Sequence, residues 1–258
     1  MNPKRFYRLL PFLCWPIIAS AISFLLQLNM LYSTLVFLAI PAIYLSFLLP
    51  KLVKKAFLFS TAITIPFSIV VDYIAHFTGQ WLVLNETFPR FLNYISVEDV
   101  IWVVLFSYFV IMFYEYFVES KRKNIIWHSR MKILAGFSWG LLFVFLICLF
   151  INQELLNIPY FYLYVGLLFM AIPSVIELFR RPNLLPKFFT VGSYFFFLTF
   201  IYELTALKLG QWTFPSEQYI GWVSIAGLNF PFEEFFFGFF FYSMITLTCY
   251  EAFDDDEQ

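Results

Sequence analysis

The apolar residues of this chain come in long runs bounded by charges. Read that way, the sequence predicts helices near 9–27, 30–49, 56–77, 98–118, 133–151, 158–178, 188–208 and 231–250. Each is close to the roughly 20 residues that a helix needs to cross a bilayer. The count is eight, with seven as the alternative. The first run follows Lys4, Arg5 and Arg8 and passes Ala19-Ser20-Ala21, small residues of the kind a signal peptidase cuts after. Because the apolar run continues straight through that point, it is read as a span rather than a leader.

The charges between the runs alternate in sign of placement. With the N-terminus inside, fourteen of the sixteen basic residues fall in inside segments, and only Arg90 and Lys208 are left for the outside. The positive-inside rule then predicts a multi-pass membrane protein with both termini cytoplasmic. The long outside segments 78–97 and 209–230 carry Trp81, Phe88, Phe91, Tyr94, Trp212, Phe214, Tyr219 and Trp222. Aromatic amphipaths sit at membrane interfaces, and irregular backbone at that depth must be covered by protein or line a cavity, so these segments are expected to fold over the bundle as lids. The acidic tail Asp254, Asp255, Asp256, Glu257 reads as a solvated end.

Composition strengthens the membrane reading: 62% of residues are hydrophobic and 13% charged, against roughly 45–50% and about 25% in soluble domains. A formal net charge of −1 leaves no basic surface for nucleic acid. Cys14, Cys148 and Cys249 lie in apolar runs without a CxxC neighbour, so neither a zinc site nor a disulfide framework is expected.

Two stretches repeat. Aligning 72–115 with 203–251 places Asp72 on Glu203, Gly79-Gln80-Trp81 on Gly210-Gln211-Trp212, and Tyr114-Glu115 on Tyr250-Glu251. The adjacent acids Glu98-Asp99 match Glu233-Glu234 after a gap, and the spacing from them to Tyr-Glu differs by one residue. The expected fold is therefore an all-α integral membrane protein, a single membrane domain over 1–258 made of two four-helix repeats, 1–128 and 129–258. An even number of helices per repeat makes the halves parallel, so both copies of the motif face the same side.

Ionisable groups inside spans are functional candidates by default. Glu115, Glu251 and Glu177 lie near basic helix ends and read as structural. Asp72, Glu203, Glu233 and Glu234 have almost no basic neighbour, Lys208 being the nearest. Desolvation and crowding oppose the pull of a helix N-terminus begun by Pro231, and their sum is open. A carboxyl cluster that holds some members neutral has what a Brønsted acid needs. Phe235-Phe236-Phe237 follows, in a chain with 38 Phe. Most of these face lipid or fill the bundle, while a subset lining the cavity would attract a cationic centre.

Gly227-Leu228-Asn229-Phe230-Pro231-Phe232-Glu233-Glu234-Phe235, with Glu203, Gly210-Gln211-Trp212 and Tyr250-Glu251 around it, resembles the lycopene cyclase domain of the membrane-embedded, heterodimeric type. That family carries a Pro-Leu-Glu-Glu motif at the head of a helix; here Phe232 stands for the leucine. The first half departs further, with Ser96-Val97-Glu98-Asp99 at the equivalent place. The two copies look like a fusion of the family's two small subunits.

The resemblance implies a redox-neutral cyclisation of a linear polyene, begun by protonation of its terminal double bond. The implied donor is Glu233 or Glu234, with Asp72, Glu98, Asp99 and Glu203 as base or relay, and Trp81, Trp212, Phe236 and Phe237 against the substrate. It implies a hydrophobic carotenoid substrate met in membrane lipid, no metal and no cofactor, and it leaves room for association with other carotenoid enzymes. No GxGxxG follows a strand, so no dinucleotide site is expected. The rivals are a proton-coupled transporter, kept open by Pro16, Pro41, Pro66 and Pro173 inside spans, a carotenoid- or lipid-binding scaffold without chemistry, and a hydratase or a cyclase for longer carotenoids.

Overall fold

A computed structural model describes residues 3–119 and 130–253. The basic residues Lys121, Arg122 and Lys123 and the acidic tail 254–257 lie outside the described residues. Among the described residues, eight helices are long and apolar enough to cross a membrane. They are α1 (Pro3–Leu26), α2 (Met30–Leu48), α3 (Val53–Thr78), α4 (Val97–Phe117), α5 (Met131–Ile151), α6 (Phe161–Arg180), α7 (Leu185–Lys208) and α8 (Glu234–Phe253).

Local chemistry sets the helix ends. Asn29 Oδ1 accepts the Tyr32 N–H at 3.2 Å to cap α2, and Ser96 Oγ accepts the Asp99 N–H at 3.4 Å to cap α4. At the end of α3 the chain turns through Gly79 with φ of 70°, and after α7 through Gly210 with φ of 64°, a left-handed conformation natural to glycine. The turns close alike, Gln80 N–H donating to Ala75 O at 2.8 Å and Gln211 N–H to Ala206 O at 2.9 Å.

Two helices are interrupted in the same way. In α2 a π-helical segment, Leu35–Ala39, precedes Ile40-Pro41; in α6 Gly166–Ala171 precedes Ile172-Pro173. Proline has no N–H to give to the carbonyl four residues back, and a wide turn just before it absorbs the mismatch. In α2 one neighbour helps: the Trp15 indole N–H of α1 donates to Val36 O at 3.0 Å. Pro16 and Pro66 sit within continuous α1 and α3.

A third π segment, Glu234–Phe241, opens α8. It accounts for the one-residue difference in spacing noted above, because a π turn takes up one extra residue while the flanking turns keep their faces. Glu234 and Tyr250-Glu251 thereby stand in the helix as Asp99 and Tyr114-Glu115 stand in α4. The Pro231 expectation is corrected: Pro231 closes a strand, and the helical backbone begins after it.

Most of the Phe residues are packing or surface residues. Phe106, Phe109 and Phe113 of α4 pack with Phe188 and Phe195 of α7 at the centre, and Tyr194 stacks on Phe113 at 4.3 Å between ring centroids. Outward, Leu25, Phe47, Phe150 and Phe179 are each at least 80% exposed, an apolar exterior that suits lipid.

The two long connections fold over one end of the bundle as lids. Strands β1 (Leu82–Val83) and β2 (Trp212–Thr213), one from each lid, pair antiparallel with Val83 opposite Trp212. In the second lid β3 (Trp222–Ile225) and β4 (Leu228–Pro231) form a hairpin over Ala226-Gly227, both with positive φ, which fits a two-residue hairpin turn. At the far end Tyr114 of α4 donates to Glu251 of α8, and Tyr250 of α8 donates to Glu115 of α4 at 2.5 Å. Lys187 and Lys55 lie over the rings of Tyr114 and Tyr250, at 5.7 and 5.1 Å from their centroids. Arg181 Nε pairs with Glu177 at 3.1 Å. The structural reading of Glu115, Glu177 and Glu251 has its partners there.

Candidate active site

Beneath the lids lies a cavity of about 150 Å³. Four carboxyl groups line it: Asp72 from α3, Asp99 from α4, Glu203 from α7 and Glu234 from α8. The rest of the wall is, apart from Ser68, aromatic or aliphatic, including Trp81, Trp102, Tyr162, Trp212, Phe214 and Tyr242, and no lysine or arginine among the described residues contributes. Lys208, the basic residue nearest Glu203 in sequence, is exposed.

Each Gly-Gln-Trp turn does three jobs. The glycine reverses the chain. The glutamine is buried and reaches into the other half: Gln80 Nε2 donates to Ser216 Oγ at 3.1 Å, and Gln211 Nε2 donates to Leu28 O at 2.8 Å and Ser33 Oγ at 2.7 Å. The tryptophan turns back to its own acid. Trp212 Nε1 donates to Glu203 Oε1 at 3.0 Å, and Trp81 Nε1 donates to Asp72 Oδ1 at 3.4 Å and Asp99 Oδ2 at 3.2 Å.

Adjacent acids at a helix start point about 100° apart, so each pair divides. Asp99 and Glu234 face the cavity, whereas Glu98 and Glu233 turn to the lids and are 1% and 0% exposed. Glu98 Oε1 accepts the amides of Thr87 at 2.6 Å and Phe88 at 3.0 Å; Glu233 Oε1 accepts the amide of Ile220 at 2.7 Å. Burial pushes the Glu233 carboxyl above its usual range, opposed by the Ile220 N–H. Glu98 and Glu233 are thus lid anchors by position.

Of the aromatic residues expected against a substrate, Trp81 and Trp212 line the cavity. Phe236 is 44% exposed and packs on Phe232 at 5.0 Å, and Phe237 is buried against Tyr162 and Gly166; neither lines it.

Among the lining or supporting residues that the sequence did not single out, three touch the acids or pack beside them. His76, one helical turn after Asp72, places Nδ1 2.9 Å from Asp72 Oδ1 and accepts the Val83 N–H at Nε2, 3.2 Å away. Trp102 lies three residues after Asp99. Both share a face with an acid already noted, so i, i+3 and i, i+4 spacing was a usable signal. Tyr162 of α6 hydrogen-bonds Glu234 and packs edge-on against Trp81 with centroids 5.4 Å apart; no spacing points to it.

Asp72, His76 and Asp99 could together hold a metal ion, with ligand atoms within 4.8 Å of one another. Both imidazole nitrogens already have partners, so the histidine could join such a site only by giving up one of them. No family model, curated protein or solved structure matches this chain.

Proposed function

We propose that the chain is an integral membrane protein of two parallel four-helix repeats, with both termini cytoplasmic and the lids outside, and that it cyclises the ends of a linear polyene such as lycopene. One observation carries this reading. Four carboxyl groups converge on one cavity whose remaining wall is, apart from Ser68, hydrocarbon and aromatic, with no lysine or arginine among the described residues that line it. Such a wall suits an apolar polyene, the carboxyl groups supply a proton, and the faces of Trp81, Trp102 and Trp212 would stabilise a carbocation. The repeat is supported by the shared interruption of α2 and α6, the two left-handed glycines and the matched Trp-to-acid hydrogen bonds.

In this reading Glu234 protonates the terminal double bond, since it faces the cavity and Glu233 does not. The neighbouring double bond attacks the resulting cation, a ring closes, and a carboxylate removes a proton. The resemblance to lycopene cyclase domains points the same way. Expression in a host that accumulates lycopene should yield ringed pigments; unchanged lycopene beside well-inserted protein would reject the proposal.

The breaks in α2 and α6 favour a second reading, a proton-coupled carrier, because interrupted helices beside buried acids also build transport sites. Proteoliposomes decide between them: a carrier would acidify or alkalinise the lumen when a solute is added, with no pigment converted.

A further inference from the structure

The two acid corners share a plan and differ beside the first acid of each. Counting from the repeat's first acid, the residue one turn on is His76 in the first half and Leu207 in the second. His76 is 4% exposed. Because Nε2 accepts the Val83 N–H, the ring proton sits on Nδ1, which donates to the Asp72 main-chain O at 3.0 Å and lies 2.9 Å from Asp72 Oδ1, so one N–H spans both oxygens of that residue. Asp72 also accepts the Ser96 N–H at 2.6 Å and the Trp81 N–H at 3.4 Å. Glu203 accepts from Trp212, and Glu234 is met by the Tyr162 hydroxyl. Asp72 thus has more donors around it than the other cavity acids, and its carboxyl also hydrogen-bonds the Asp99 carboxyl, one proton lying between the two.

Val83 belongs to β1, which pairs with Trp212 in β2, so the imidazole also ties Asp72 to the ribbon joining the lids. A base held from three sides has a fixed line of approach to a bound cation. In a cyclisation that line decides which neighbouring carbon gives up its proton, and so where the ring double bond lies.

We propose that His76 is a positioning residue that makes Asp72 the proton acceptor and thereby sets the isomer of the ring. The inference rests on the cyclase reading above. In balanced form, the Glu234 O–H bond breaks and a C–H bond forms at the terminal alkene. The next double bond supplies the pair for the ring C–C bond. A C–H bond beside the cation then breaks, its proton goes to the Asp72 carboxylate, and its electron pair becomes the ring double bond. No electrons are gained or lost, and the proton returns from Asp72 to Glu234 between turnovers, both groups lining one cavity.

The test uses the full chain in lycopene-accumulating cells, with ring isomers separated by chromatography. His76→Gln keeps an acceptor for the Val83 amide but loses the donor to Asp72. It should still form rings while shifting the ratio of isomers, or of hydroxylated to dehydrated rings, on the order of tenfold. His76→Asn, which can place an amide N–H where Nδ1 stood, should restore the wild-type ratio. Asp72→Asn should give the same shift as His76→Gln, and serves as the readout if His76→Gln does not accumulate. An unchanged ratio in His76→Gln and Asp72→Asn, with only the yield lowered, overturns the assignment while leaving the cyclase reading intact. A wild type that makes no rings overturns both.

Discussion

The corner between α3 and α4 and the corner between α7 and α8 use the same parts list: an acid near a helix end, a left-handed glycine, a glutamine clipped into the other half, a tryptophan turned back on the acid, and a split acidic pair. They differ in what surrounds the acid. In the first corner two aspartates face each other under one indole N–H, with His76 and the Ser96 amide beside them. In the second, two glutamates sit farther along their side chains, with Leu207 where the histidine would be and a wide π turn beneath Glu234. The first corner holds a short acid with several hydrogen-bond donors, and the second leaves a longer acid with few. In the proposed cyclase, these unequal surroundings would give two similar corners complementary roles.

The largest expected effect breaks the comparison at its reactive end. Glu234→Gln should lower ring formation by about 10²-fold or more, while Glu233→Gln, whose amide carbonyl still accepts the Ile220 N–H, should stay within about threefold of wild type. Pigment analysis of the two variants side by side checks this. Equal losses would mean that the adjacent glutamates do not divide as described.

A smaller effect is expected at the tryptophans. Trp81→Phe removes a donor shared by two carboxyl groups and Trp212→Phe a donor to one, so conversion should fall about tenfold for the first and less for the second. The reverse order would locate the more sensitive corner in the second half.

The glutamine clips should register as stability rather than chemistry. Gln211→Ala strands Leu28 O and removes the donor to Ser33 Oγ, and should cost ~1–3 kcal/mol; Gln80→Ala removes a donor from Ser216 Oγ, which still accepts the Gln218 N–H, and should cost less. Thermal unfolding in detergent measures both.

The smallest effect is one of pH. The folded state holds the Glu233 proton more tightly than the unfolded chain, so this group's contribution is present at acid pH. It declines as pH rises from the ordinary glutamate range through the raised folded value. Glu233→Gln should flatten that decline in a series of melting curves, and an unchanged slope would show that another group sets it.

Much of this arrangement was legible in the chain. The spans followed from unbroken apolar runs, and the lids from aromatic loops too long and too greasy for open solvent. Asp72, Glu203, Glu233 and Glu234 stood out because almost nothing basic lay near them in sequence, Lys208 being the nearest, and Asp99 entered through the repeat. His76 and Trp102 were readable from one-turn spacing to those acids. Phe236 and Phe237 misled, because a run of phenylalanines on a helix covers every face and only a fraction of it meets any one cavity. Tyr162 was out of reach, since α6 approaches α8 only through packing.

What the sequence determined by itself is local: which segments are apolar enough to span, where Gly79 and Gly210 turn the chain, where Ser96 starts a helix, and that two neighbouring acids must point in different directions. These depend on side chains within a turn or two of each other, where geometry is fixed by the helix. Which acid of each pair faces inward, that both halves share one cavity, and that among the described residues Asp72 alone has an imidazole at its side with its far nitrogen tied to the lid ribbon were decided by tertiary structure. Those outcomes depend on how α3, α4, α7 and α8 rotate against each other and where the paired lids pin them, and the packing that sets those rotations is spread over the whole bundle.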